Sequence, residues 1–154
     1  ELNAIAKGYI VDRAVLAAEA AGAESVLVNA GGDLRHLGGA PIRVGIEDPA
    51  RPGGTPIRVA ELGDGAIATS GPVHRGFSVE GQWFGHVLDP RTGWPVTERP
   101  STTIKAPDAM TADALATVAG VLDLAAAATV LAAVPAVSGL SVAPDGAVTQ
   151  WGAW

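Results

Sequence analysis

The sequence contains no cysteine and few aromatic residues, and only 17% of its 154 residues are charged. Without cysteine there is no disulfide framework, no thiolate metal ligand and no cysteine nucleophile. Aromatic residues make up 5% of the chain and hydrophobic residues 48%, so we expect a core of alanine, valine and leucine side chains in which helices and strands approach closely. This composition predicts a single globular domain over residues 1–154.

Positive charge is also scarce. The formal net charge is -6 and the chain has no run of lysine or arginine, which argues against nucleic-acid binding through phosphate neutralisation. The same acidity repels a free nucleotide, so a phosphate site would need a metal ion or a few placed cations. No uncharged apolar stretch reaches the ~20 residues that cross a bilayer, and the start has no signal-peptide pattern. We therefore expect no membrane span.

The spacing of apolar residues predicts an α+β fold with mixed or antiparallel sheets and packed helices. Helices are predicted over 4–21, 111–122 and 124–134, with Thr111 as the N-cap of the second. Asp12 is interpreted as a polar interruption in the apolar stripe of the first helix. Short β-rich segments separated by glycine-containing turns predict antiparallel hairpins, with strands at 26–29, 42–47, 57–62, 66–70, 76–80, 83–88, 101–106, 140–142 and 147–149.

A carboxylate and a hydroxyl lie one helical turn apart near the start of the second predicted helix. Asp113 and Thr117 share one helical face and offer two hard oxygen ligands to Mg²⁺, with water or a substrate phosphate completing the octahedron. The helix dipole favours a pyrophosphate near the helix N-terminus and disfavours a bare cation there. The alternative is that Asp113 stabilises the helix dipole and Thr117 lies on the surface, since such pairs are common.

Two glycine-rich turns contain the other candidate residues. In the segment 85–93, His86 is a candidate general base, and Arg91 pairs with a phosphate or with Asp89; alternatively Asp89 caps its own turn and Arg91 is solvated. The segment 29–33 follows a buried strand, and its glycine pair either cradles phosphate through backbone N–H groups or forms a plain β-turn. The remaining histidines, His36 and His74, are assigned structural or surface roles.

Six segments in this order resemble the FAD:protein FMN transferase (ApbE) family, formerly described as thiamine-biosynthesis lipoproteins. They are 1–12 (ELNAIAKGYIVD), 28–33 (VNAGGD), 44–49 (VGIEDP), 68–71 (ATSG), 86–93 (HVLDPRTG) and 109–117 (AMTADALAT). The resemblance spans almost the whole chain. It departs from the family at Glu1, where aspartate is usual, and at Asn3, where glycine is frequent.

The resemblance implies a site and assigns residues to it. Mg²⁺ would be held by the main-chain carbonyl of Ala4 and by the side chains of Asp113 and Thr117. FAD contacts would come from Glu1, Lys7 and the segment His86, Val87 and Leu88, with Gly31, Gly32 and Asp33 lining the same pocket. Asp113, as a metal ligand, and His86, as the group that helps the attacking hydroxyl, would be the catalytic residues.

The resemblance also implies a reaction. The enzyme would split FAD at its pyrophosphate, transfer FMN to a Thr or Ser hydroxyl of an acceptor protein and release AMP. The chain corresponds to the C-terminal portion of the family, without its N-terminal part, and an extracytoplasmic or membrane-associated location is expected from the family. Two alternatives stay open: an FAD pyrophosphatase that yields FMN and AMP, and a non-catalytic flavin-binding module.

Overall fold

The computed structural model describes residues 2–71, 75–96 and 100–154. The helices are α1 (Asn3–Ala20), α2 (Ala109–Val121) and α3 (Leu124–Ala132). The strands are β1 (Val26–Ala30), β2 (Asp33–Leu37), β3 (Ile42–Ile46), β4 (Arg58–Leu62), β5 (Gly65–Ser70), β6 (Gly76–Val79), β7 (Gln82–Gly85), β8 (Ser101–Ala106), β9 (Ser138–Val142) and β10 (Val148–Trp151). The described residues therefore form an α+β fold, as predicted.

One six-stranded sheet organises the molecule, in the order β1-β2-β5-β8-β9-β10. All of its pairings are antiparallel. Two separate hairpins, β3–β4 and β6–β7, complete the strands. The predicted closing hairpin is confirmed, because β9 and β10 pair across the turn at Asp145, whose carboxylate accepts a hydrogen bond from the Ala147 N–H.

The sheet carries helices on one face and the β3–β4 hairpin on the other. Alternate residues of β5 show the division: Ala66 and Ala68 pack with the helices, whereas Ile67 packs with Leu62 of the hairpin. This is the two-residue periodicity of a strand buried on both faces. The core on the helix side consists largely of small side chains, as expected, because the buried face of α2 is mostly alanine, including Ala112 and Ala116.

Small residues also let α1 and α2 touch. Gly8 is buried at the crossing, and a Cβ atom added there would lie 2.7 Å from Cα of Met110. That distance is shorter than van der Waals contact between carbon atoms. The absence of a side chain at Gly8 therefore sets how closely the two helices approach.

The secondary structure differs from the prediction in three places. Thr111 is not an N-cap: α2 begins at Ala109, and Asp108 caps it by accepting a hydrogen bond from the Thr111 N–H at 2.8 Å. Strand β2 was not predicted, because its sequence, DLRHL, mixes charged and apolar residues without a clean alternation. The strand predicted at 83–88 ends at Gly85, so His86 follows the strand instead of lying within it.

Candidate functional site

A cavity of about 1280 Å³ opens at the end of the main sheet. Its walls come from the start of α1, the β1–β2 turn, β3 with the residues after it, β5, one face of α2 and the β6–β7 hairpin with the segment after it. It is larger than the ~300–1,000 Å³ of ordinary small-molecule sites. The cavity therefore has room for an extended ligand such as a dinucleotide.

The three predicted metal ligands, Ala4, Asp113 and Thr117, all line this cavity. Asp113 is buried, and its Oδ2 accepts a hydrogen bond from the Gly8 N–H at 3.0 Å. Gly8 follows Ala4 by one helical turn, so this hydrogen bond brings the Asp113 carboxylate to the turn of α1 that begins at Ala4. The start of α1 and the first turns of α2 thus converge on one region of the cavity, although they are separated by 105 residues.

Lys7 brings a positive charge to the same region. Its Nζ lies 2.8 Å from Oδ2 of Asp33, and this ion pair is mostly buried. Asp33 itself lies behind the cavity wall, whereas Lys7 lines the cavity. Burial raises the pKa of Asp33 to about 6 against the opposing effect of Lys7, and the charge of Asp113 adds to the rise. Burial also raises the pKa of Asp113, while hydrogen bonds with Gly8 and Asp33 oppose that rise, so the two carboxyl groups lie close enough to interact directly.

The predicted glycine turn is the tight connection between β1 and β2. Gly31 and Gly32 both have positive φ, 64° and 96°, which is the requirement of a type I′ hairpin turn. Both glycines line the cavity. The N–H of Gly32 donates to the Asn29 side chain at 3.0 Å, so this turn is fixed by its own side chain, and that N–H is already committed.

His86 is exposed at the cavity wall, next to Val87 and Leu88, which also line it. Its Nδ1 lies 3.1 Å from the carbonyl oxygen of Arg75. A carbonyl only accepts hydrogen bonds, so Nδ1 carries the proton in the neutral ring and Nε2 is the nitrogen that can accept one. This tautomer suits a general base.

Arg91 takes the second of its two predicted roles. Its Nε and Nη2 atoms pair with the Asp89 carboxylate at 2.9 and 2.7 Å, and its backbone N–H donates to the same carboxylate at 2.8 Å. The pair lowers the pKa of Asp89, chiefly through the side-chain hydrogen bond from Arg91. Arg91 is therefore committed to its own turn and does not line the cavity.

The sequence analysis missed two charged residues, one that lines the cavity and one that lies behind it. Arg75 lines the cavity, but no motif marks it. Asp12 is buried, and its carboxylate accepts hydrogen bonds from the N–H groups of Ala109 and Met110 at 2.8 and 2.9 Å. Its four-residue spacing from the buried Gly8 was the available signal, because it places both on one face of α1.

Two predicted residues, Glu1 and His74, lie outside the described residues. His36, the other residue given a structural role, is buried with its Nδ1 3.0 Å from the Gly63 carbonyl. That contact agrees with the structural assignment. Within the described ranges, no helix has the length and apolarity needed to cross a bilayer.

Fold and cavity together define a class: an α+β protein whose ligand site combines hard oxygen donors, two cations and a histidine. Comparison with known proteins narrows that class. The model of the ApbE family matches residues 1–140. The FAD:protein FMN transferase of Treponema pallidum is 37% identical over 94% of this chain and 44% of its own length; that of Vibrio cholerae is 38% identical over 76% of this chain and 36% of its own length.

A solved structure gives the same result. The crystal structure of the ApbE protein from Thermotoga maritima superposes with a TM-score of 0.89 at 37% identity, covering 98% of this chain and 50% of that chain. This chain belongs to the ApbE family. It spans about half the length of the relatives it matches.

Proposed function

We propose that this chain forms the Mg²⁺- and pyrophosphate-binding part of an FAD:protein FMN transferase. The enzyme cleaves FAD between its two phosphates, transfers FMN to a Thr or Ser hydroxyl of an acceptor protein and releases AMP. The names of the related proteins support FAD as donor and a protein as acceptor. The observation that carries the proposal is the single cavity lined by Ala4, Lys7, His86, Asp113 and Thr117.

The donor set fits Mg²⁺. A carbonyl, a carboxylate and a hydroxyl are hard oxygen ligands, and Mg²⁺ usually keeps several positions for water or substrate phosphate. Among the described residues no three Asp, Glu, His or Cys side chains come together. Asp113 is the one carboxylate in the proposed ligand set, and phosphate oxygens would complete the shell.

A bound Mg²⁺ would neutralise phosphate charge and polarise the phosphorus toward attack. The remaining neutralisation of phosphate charge would come from the protein's own side chains. Lys7 and Arg75 bring positive charge to a protein of net charge -6, which otherwise repels the dinucleotide. Phosphoryl transfer depends mainly on such charge neutralisation and on in-line positioning.

In the proposed transfer step His86 accepts the proton and the leaving group takes the electron pair. The acceptor oxygen forms a bond to the FMN-side phosphorus while its proton passes to Nε2 of His86. The bond from that phosphorus to the bridging oxygen breaks, and AMP leaves with the electron pair. The Nδ1 contact with the Arg75 carbonyl holds the imidazole in the required tautomer.

Replacing Asp113 by alanine tests the proposal. The variant should lose Mg²⁺-dependent AMP release and FMN attachment to a Thr-containing acceptor, because it removes the one carboxylate ligand. Asp108→Ala is the matched control: it removes a carboxylate from the same helix terminus, where Asp108 contacts Thr111, and it should retain both activities. AMP release that is unchanged in Asp113→Ala would reject the proposal.

The two alternatives give different products. An FAD pyrophosphatase would release free FMN with AMP even when the acceptor is present, since water replaces the protein hydroxyl. A flavin-binding module would bind FAD stoichiometrically without Mg²⁺ and without AMP. Mass spectrometry of the acceptor, together with nucleotide analysis of the supernatant, separates the three. The extracytoplasmic location stays a prediction, which cell fractionation tests.

A further inference from the structure

One buried carboxylate outside the cavity wall joins three of the elements that build the site. Asp12 lies on α1, two turns after Ala4. Its Oδ1 accepts the Ala109 N–H of α2 at 2.8 Å and also contacts Nη1 of Arg35 on β2 at 2.6 Å, while its Oδ2 accepts the Met110 N–H at 2.9 Å. One side chain therefore connects α1, α2 and β2.

These elements carry the candidate ligands. Ala4 and Lys7 belong to α1, Asp113 and Thr117 to α2, and β2 begins at Asp33. Asp12 does not line the cavity, so it is not placed to contact an ion or FAD there. Its effect on the site would be indirect, through the relative placement of the helices.

Capping of α2 does not by itself explain the hydrogen bonds that Asp12 makes. The N-cap of α2 is already Asp108, whose carboxylate accepts the Thr111 N–H at 2.8 Å. Asp108 acts within its own helix end, whereas Asp12 binds the N–H groups of Ala109 and Met110 from another helix 97 and 98 residues away. Apolar packing between alanine-rich helices is non-directional, but hydrogen bonds have preferred lengths and angles, so Asp12 fixes how far α2 slides along α1.

We propose that Asp12 is a positioning residue, which sets the register of α2 against α1 so that the Ala4 carbonyl and the side chains of Asp113 and Thr117 reach one divalent cation. This inference rests on the proposed function for the identity of the ligands. The contact that reports the register is the hydrogen bond from the Gly8 N–H to Asp113, 3.0 Å long. It forms only when the two helices are correctly aligned.

The first test measures metal binding, with Mn²⁺ as the probe. Asp12→Asn removes the charge and one acceptor; Asp12→Glu keeps the charge but lengthens the side chain by one methylene, so α2 must shift. Both variants should bind Mn²⁺ about tenfold or more weakly, as expected when an outer-shell support of a metal site is lost. The loss of the free-Mn²⁺ electron paramagnetic resonance signal gives the dissociation constant.

Asp108→Ala is the matched control, because it removes the other carboxylate that binds first-turn N–H groups of α2. It should lower the urea midpoint and leave the Mn²⁺ dissociation constant within about twofold. The positioning role is overturned if Asp12→Asn and Asp12→Glu are folded and also bind Mn²⁺ within twofold of wild type, or if Asp108→Ala weakens Mn²⁺ binding as much as they do.

A second test needs no metal. The Gly8 amide of the metal-free protein should be protected from hydrogen exchange. Asp12→Glu should reduce the protection of Gly8 more than that of Val15 on the same helix. If the Asp12 variants do not fold, Arg35→Met takes their place in this comparison. Equal loss at both positions would mean general destabilisation and would overturn the inference. If wild type binds no Mn²⁺, the metal site of the proposed function fails, whereas a selective loss at Gly8 would still support the register role of Asp12.

Discussion

Replacing Gly8 by alanine should separate α1 from α2 and disrupt the cavity. A methyl group there would lie 2.6 Å from the carbonyl carbon of Ala109 and 2.7 Å from Cα of Met110. Carbon atoms pack best at about 3.5–4.0 Å, and both obstructing atoms belong to the backbone, which cannot rotate away. The helices would therefore have to move apart by about 1 Å.

The energetic effect follows from that displacement. Overpacking costs about 1–3 kcal/mol. Lengthening the Gly8–Asp113 hydrogen bond from 3.0 Å to about 4 Å breaks it, and a hydrogen bond to a charged group contributes about 1.5–3 kcal/mol. Alanine offsets up to about 1 kcal/mol through its higher helix propensity. We expect a net loss of about 3 kcal/mol in the free energy of unfolding.

Urea unfolding monitored by tryptophan fluorescence measures the free-energy change, and Mn²⁺ binding reports on the cavity. Gly63→Ala is the matched control, because a Cβ atom at Gly63 meets nothing within 4 Å and its φ is not positive; it should change the unfolding free energy by less than about 0.5 kcal/mol. If Gly8→Ala unfolds at the wild-type urea concentration and binds Mn²⁺ normally, the close helix contact is not what shapes the site.

Two further predictions concern charge. In metal-free protein the pKa of Asp33 is raised to about 6 by burial, so the folded state binds the proton more tightly than the unfolded chain; stability should therefore rise by about 1 kcal/mol as pH falls from about 7 to 5, through the folded-state pKa. Urea midpoints at the two pH values check this, and Asp33→Asn should reduce the dependence to the part contributed by Asp113, whose pKa is also raised by burial; a wild-type midpoint that decreases between pH 7 and pH 5 would contradict it. Arg75 lines the cavity whereas Arg91 is paired with Asp89, so Arg75→Ala should weaken FAD binding about tenfold, the value of one charge-assisted hydrogen bond. Arg91→Ala should leave the FAD dissociation constant within about twofold by calorimetry, and equal effects of the two substitutions would refute the assignment.

The sequence by itself was sufficient for the fold class and for most helices and strands, because those depend on local patterns. The helical stripe after residue 3, the strand alternation and the turn at Asp145 each occupy a short segment. The family resemblance added the candidate ligands. Ala4, Asp113 and Thr117 line one cavity, while the roles of the candidate residues in metal and FAD binding stay predictions.

The tertiary structure decided the contacts between distant segments. Asp12 was interpreted as a polar interruption of a helix, and only the fold reveals that it meets Ala109 across 97 residues of chain. The choice of Asp108 over Thr111 as the cap of α2, and of Arg75 over Arg91 as a cavity residue, also depended on backbone placement. Local propensity sets which elements form, but the partner of a buried charge depends on which elements pack together, and that is a property of the whole chain.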